Sequence, residues 1–197
     1  MSKWALASSA CAPLVFISGW VVAARLEGPG YNPVTQTISI LATYGAAGFW
    51  VMTTALLSLG ICHLLTAWGL RSVAAAGRLA LAGGGVAALL VAVVPAPSSG
   101  GSLRHGTVAV IGFTLLAVWP VLASEGRANA PWALRRAPSV TATGVMLLGA
   151  AWFLVETQRQ GASGVAERFV TAIQSSWPFV VVASCMFQAL RSNEPPA

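Results

Sequence analysis

The chain has no aspartate at all. Its acidic residues are five glutamates, lysine occurs once at position 3, and only 8% of its 197 residues are charged. A soluble domain carries roughly a quarter of its residues as charges, so this scarcity excludes an ordinary soluble fold. Histidine is also scarce: His63 and His105 are the only two, and they fall in different apolar runs, so a multi-histidine metal site is not expected. Cys11, Cys62 and Cys185 lie within apolar runs with no C-x-x-C spacing, and read as small buried side chains rather than as metal ligands or disulfides. A phosphate loop, an H-E-x-x-H helix, a G-x-S-x-G elbow and paired zinc cysteines are all missing. No cofactor and no metal are expected.

What the chain does have is hydrocarbon. It is 56% hydrophobic, and six apolar runs stand at about 5–25, 46–70, 79–95, 105–123, 139–158 and 170–190. Each can cross about 30 Å of bilayer core. The first is longer than the core of a signal peptide and reads as a retained helix, although Lys3 and the small pair Ala23-Ala24 give it some signal-like character. The expected fold is all-α: a polytopic integral membrane protein in one membrane domain, a six-transmembrane-helix bundle with a short amphipathic helix between spans 1 and 2.

The net charge of +6 does not point to nucleic acid, because the basic residues are scattered singly between apolar runs. They fit membrane orientation better. With both termini cytoplasmic, Lys3, Arg71, Arg78, Arg127, Arg135, Arg136 and Arg191 fall inside with Glu125 and Glu194; Arg25, Arg104, Arg159 and Arg168 fall outside. Seven basic residues against four favour that sense. Trp4, Trp68, Trp119 and Trp132 are expected near the inner interface, and Trp20, Trp50, Trp152 and Trp177 near the outer one, where anchoring is the simplest use of an indole. Gly83-Gly84-Gly85 allows close helix approach and places the third span in the middle of the bundle. The Arg135-Arg136 pair of the inner loop is suited to anionic lipid headgroups.

The most informative stretch is Tyr31 to Ala42. Asn32-Pro33 is a helix-start signal. Val34, Ile38 and Leu41 then fall on one face and Thr35, Ser39 and Thr43 on another, which predicts an amphipathic helix with a hydroxyl stripe; a loop satisfying its own backbone is the alternative. By the charge-derived topology this stretch shares the outer face with Glu27, Arg104, His105, Glu156, Arg159, Glu167 and Arg168. Ionisable groups near hydrocarbon pair with one another or line a wet cavity. A histidine beside a carboxylate suits acid–base work near neutral pH, whereas loop-end charges such as Glu156 and Arg159 also serve as plain surface pairs. His63, inside the second span, is expected to make an interhelical hydrogen bond.

The segment Gly28-Pro-Gly-Tyr-Asn-Pro-Val-Thr-Gln-Thr-Ile-Ser-Ile-Leu-Ala42 resembles the hallmark of a bacterial membrane-protein family, domain of unknown function 998. Arg104-His105-Gly106 and Gly164-Val165-Ala166-Glu167-Arg168 fit it as well. The resemblance covers nearly the whole chain and implies a six-helix bundle in a bacterial inner membrane. Relatives often carry an acidic residue before the histidine and a second histidine after it. Neither is present here, which argues against a paired-histidine or metal mechanism.

Two functions fit these observations. One is an intramembrane enzyme, comparable to small membrane terpene cyclases, acting on an isoprenoid or terpenoid substrate by acid-initiated cyclisation or isomerisation. Glu156 or Glu167 would be the acid, His105 or Tyr31 its proton partner, and Trp20, Trp50, Trp152 and Trp177 the aromatic wall, with Asn32, Thr35, Ser39, Arg159 and Arg168 around the substrate. The other is a non-catalytic membrane protein that binds a lipid or small hydrophobic molecule, or serves a membrane complex. Membrane lipids are expected partners in both readings, and the Tyr31 stretch is then a lid over one end of the bundle.

Overall fold

In lipid a chain must satisfy its backbone polar groups internally, and six long apolar segments do so as helices. The computed structural model describes residues 3–98, 100–127 and 129–192, and Glu194 lies outside them. Its membrane-scale helices are α1 (Lys3–Glu27), α3 (Phe49–Gly69), α4 (Ala75–Val93), α5 (Leu103–Leu122), α6 (Arg136–Arg159) and α7 (Ser163–Ser192), with α2 (Ile38–Leu41) a single turn between the first two. All six are long and apolar enough to cross a membrane, and no strand occurs among the described residues.

Each long helix packs on the next, and α7 returns to α1, so the six close into a ring. Glycine sets the closest approach. A Cβ on Gly60 of α3 would lie 2.7 Å from the Gly85 carbonyl of α4, and one on Gly77 would lie 2.5 Å from Ala123 Cβ at the end of α5. Dispersion across such contacts matters in lipid, where the hydrophobic effect gives helices little reason to associate. The triple glycine faces α3 and α5: Gly84 faces Leu116, and Gly85 faces Gly60 and His63. Since α4 packs on those two neighbours as one member of the ring, the third span does not take the middle place its composition suggests.

Two expected helix boundaries need correction. The stretch predicted as one helix from Pro33 to Thr43 is a turn over 33–36, an extended Thr37 (φ −72°, ψ 161°) and then α2. Its carbonyls are taken by other partners: Pro33 and Gln36 by the Arg168 guanidinium, Gln36 and Thr37 by the Tyr31 hydroxyl. A carbonyl so engaged is diverted from the i+4 amide that would continue a helix. The second concerns the last span, expected from about residue 170. It begins at Ser163, because the turn over 33–36 supplies partners for its first polar groups: Gly164 N and Val165 N donate to Val34 O (3.0 and 3.2 Å), and Ser163 Oγ to Thr35 O (2.7 Å).

Candidate functional site

Three connections meet at one end of the ring: the α1–α3 segment, the α4–α5 loop and the tight α6–α7 turn. Asn32 organises the first of these. Its Oδ1 accepts the Val34 amide (2.9 Å), its carbonyl accepts Gln36 N (2.8 Å), and its amide donates to Gln36 Oε1 (2.7 Å). Arg168, one turn into α7, donates to the carbonyls of Pro33, Gln36 and Gly164 and to the Tyr31 hydroxyl. Burial raises the Tyr31 phenol above its usual 10.0, and the neighbouring Arg168 opposes that shift. Gly164 is required here, since a Cβ would overlap the carbonyls of Pro33 and Gln36.

Beneath this clamp lies a buried carboxyl. Glu167 is only 5% exposed. Its Oε2 accepts the Ile38 amide, capping α2 from another helix, and its Oε1 meets Ser39 Oγ at 3.2 Å. Ser39 Oγ in turn lies 3.3 Å from His105 Nε2, and His105 Nδ1 lies 2.8 Å from the Val94 carbonyl. A carbonyl only accepts, so Nδ1 carries a proton and Nε2 is left to Ser39. Ser102 holds the start of α5, accepting the His105 amide at 3.3 Å.

Two proton orders satisfy this chain. In one, a protonated Glu167 donates to Ser39 and Ser39 donates to Nε2. In the other, the imidazolium donates to Ser39 and Ser39 donates to the carboxylate. Glu167, Ser39 and His105 thus form one continuous hydrogen-bonded chain, the geometry that a proton relay requires.

Glu167 and Ser39 also line a cavity of about 90 Å³ within the ring. Thr171, Gln174 and Ser175 continue from Glu167 at i+4, i+7 and i+8 along the same face of α7, and His63 of α3 closes the deep end. The rest of the lining is apolar, with Phe16 and Phe113 as its aromatic members. The α7 stripe is present in the sequence as spacing, but in an apolar run its hydroxyls and amide pass for helix-packing residues. His63 is fully buried, and neither ring nitrogen has a protein partner, so the expected interhelical hydrogen bond is not formed.

The remaining candidates stand elsewhere. Glu156 accepts the Ala162 amide (2.7 Å) and holds the α6–α7 turn, where Gln160 is left-handed (φ 53°). Glu27 accepts the Gly48 amide (2.8 Å) at the start of α3. Arg159, Thr35 and Asn32 are exposed. Among the described residues the one ion pair is Arg127–Glu125 at the opposite end, so Glu156 and Arg159 do not pair. Trp20 is buried against Phe16 outside the cavity lining, Trp50 is 76% exposed, and Trp152 lies against Phe169. Trp177 packs 6.4 Å from Trp132 at the opposite end, because α7 starts at Ser163 and carries residue 177 past the middle of the ring.

A family model described as Protein of unknown function (DUF998) matches residues 10–184. No curated protein and no solved structure matches the chain.

Proposed function

The chain belongs to the DUF998 family of proteins of unknown function, and from that premise we propose that it is a membrane enzyme that protonates a lipid-soluble substrate at Glu167. The observation carrying this reading is the unbroken path from His105 through Ser39 to a carboxyl that faces an apolar cavity. An isoprenoid or terpenoid is the substrate class we assign, and isomerisation or cyclisation the reaction. Glu167 gives its proton to a double bond, and the cation loses a proton from a neighbouring carbon back to the Glu167–Ser39–His105 chain. The cycle closes with no other reactant, which suits a site offering only proton donors and acceptors. Phe16 and Phe113 are the aromatic faces available to steady the cation.

General acid catalysis contributes about 10²- to 10⁴-fold, so Glu167→Gln should reduce product formation by at least about a hundredfold in a folded protein. Glu156→Gln should retain it. The measurement is mass spectrometry of isoprenoid lipids from cells producing each variant. Identical extracts from wild type and Glu167→Gln would sink the acid role.

One observation favours a second reading, a non-catalytic lipid or small-molecule binder. At about 90 Å³ the cavity is smaller than the ~150 Å³ apolar cavity that holds benzene, so an isoprenoid enters only if the helices part. A specific molecule that copurifies with wild type and Glu167→Gln alike, without conversion, supports the binder. For orientation, we assign both termini to the cytoplasm and the relay to the outer face of a bacterial inner membrane, supported by the seven-to-four split of basic residues.

A further inference from the structure

We infer that the cavity is a one-sided water passage linking Glu167 to His63 in the interior of the ring. This goes beyond the acid chemistry and describes the cavity before any lipid-soluble molecule enters it.

The α7 stripe from Glu167 to Ser175 spans eight residues, about 12 Å at 1.5 Å per residue. Its groups face the cavity with acceptors to spare. Thr171 Oγ1 donates to Glu167 O (2.7 Å), Ser175 Oγ to Ala172 O (3.1 Å), and Gln174 Nε2 to Phe113 O (2.9 Å), which leaves two hydroxyl oxygens and Gln174 Oε1 to accept. Facing them, His63 is 0% exposed and its two ring nitrogens, one a donor and one an acceptor when neutral, have no protein partner. Burying such groups unpaired is costly, so each calls for a partner. Water donates and accepts, and a cavity of about 90 Å³ has room for water molecules.

The cavity lining carries no Lys or Arg, so nothing in it recruits an anion. Its relay end is lined by Glu167 and Ser39, which hydrogen-bond to each other, and Ser39 in turn meets His105 just outside the lining. Past His63 the passage ends, because Leu116, Trp119, Leu81 and Leu70 form one buried apolar cluster towards the opposite end. Protons therefore reach the His63 ring along water from the relay side alone, and the passage is a half-channel with no through path.

The test uses the full chain in lipid nanodiscs with ¹⁵N-histidine, which labels only two side chains. In water-edited solid-state NMR, magnetisation from water should reach the His63 ring at a rate within about threefold of that for His105. Thr171→Val, nearly the same shape, should slow the transfer to His63 several-fold and leave His105 unchanged. Gln174→Leu with Ser175→Ala should slow it about tenfold by removing the acceptors that hold the water. Transfer to His105 with none to His63 would overturn the inference, as would transfer to His63 from acyl protons of a bound lipid in place of water. Neither result bears on whether Glu167→Gln abolishes turnover.

Discussion

Ser39 is the residue on which the relay depends, because among the described residues it alone hydrogen-bonds to both Glu167 and His105. Ser39→Ala removes the bridge and leaves both ends in place. If protons reach Glu167 by this route, turnover falls by about tenfold or more while the thermal midpoint barely moves, and Ser39→Thr restores it by returning a hydroxyl. An unchanged rate in Ser39→Ala rejects the route. Tyr31 offers a test based on titration. Its phenol is raised above 10.0 by burial, so the stability it lends is fully present below its unfolded value and is lost as pH rises through the higher folded value. Absorbance near 295 nm should show ionisation above 10.0 that Tyr31→Phe removes. A titration at high pH that Tyr31→Phe leaves unchanged contradicts the burial argument.

At the scale of elements, the docking of α7 on the 31–37 segment assembles the site. Gly164→Ala puts a methyl group against two backbone carbonyls that cannot rotate away, and overpacking of this kind costs about 1–3 kcal/mol. The variant should unfold several degrees earlier and weaken the Glu167 contact with Ile38, which a slower elution or a lower midpoint in detergent would reveal; a wild-type midpoint refutes the contact. This docking also marks the limit of what the sequence discloses. The six spans are legible because twenty apolar residues admit only one backbone solution in lipid, and Asn32 is legible as the residue that caps the turn. The break at Thr37 is not, since it arises from Arg168 and Tyr31 capturing carbonyls far away in sequence. Likewise Glu167 and Glu156 look alike in the chain. Only the fold makes one a cap for a turn and the other a carboxyl between His105 and a cavity.

The whole ring explains why so few polar groups suffice. Lipid weakens the hydrophobic drive between helices, leaving glycine contacts and interhelical hydrogen bonds worth about 0.6–2 kcal/mol each to hold the bundle. Those at the relay end join α7 to the segment after α1 and that segment to α5, so the site is also one end's closure. The opposite end closes differently, through the Glu125–Arg127 pair, the Glu125 amide on Leu134 O and the apolar cluster around Trp119. The two ends thus have unlike chemistry, and the seven-to-four split of basic residues supports the proposal that the relay end is the outer one. Single cysteines test this in a chain whose Cys11, Cys62 and Cys185 are replaced by alanine. Gly101→Cys on the α4–α5 loop and Ser72→Cys on the α3–α4 loop are both exposed, at opposite ends. In intact spheroplasts an impermeant maleimide should label Gly101→Cys and spare Ser72→Cys until the membrane is opened. The reverse pattern would put the relay in contact with the cytoplasm and make its proton source the cell interior, while labelling of both before opening would contradict a single orientation.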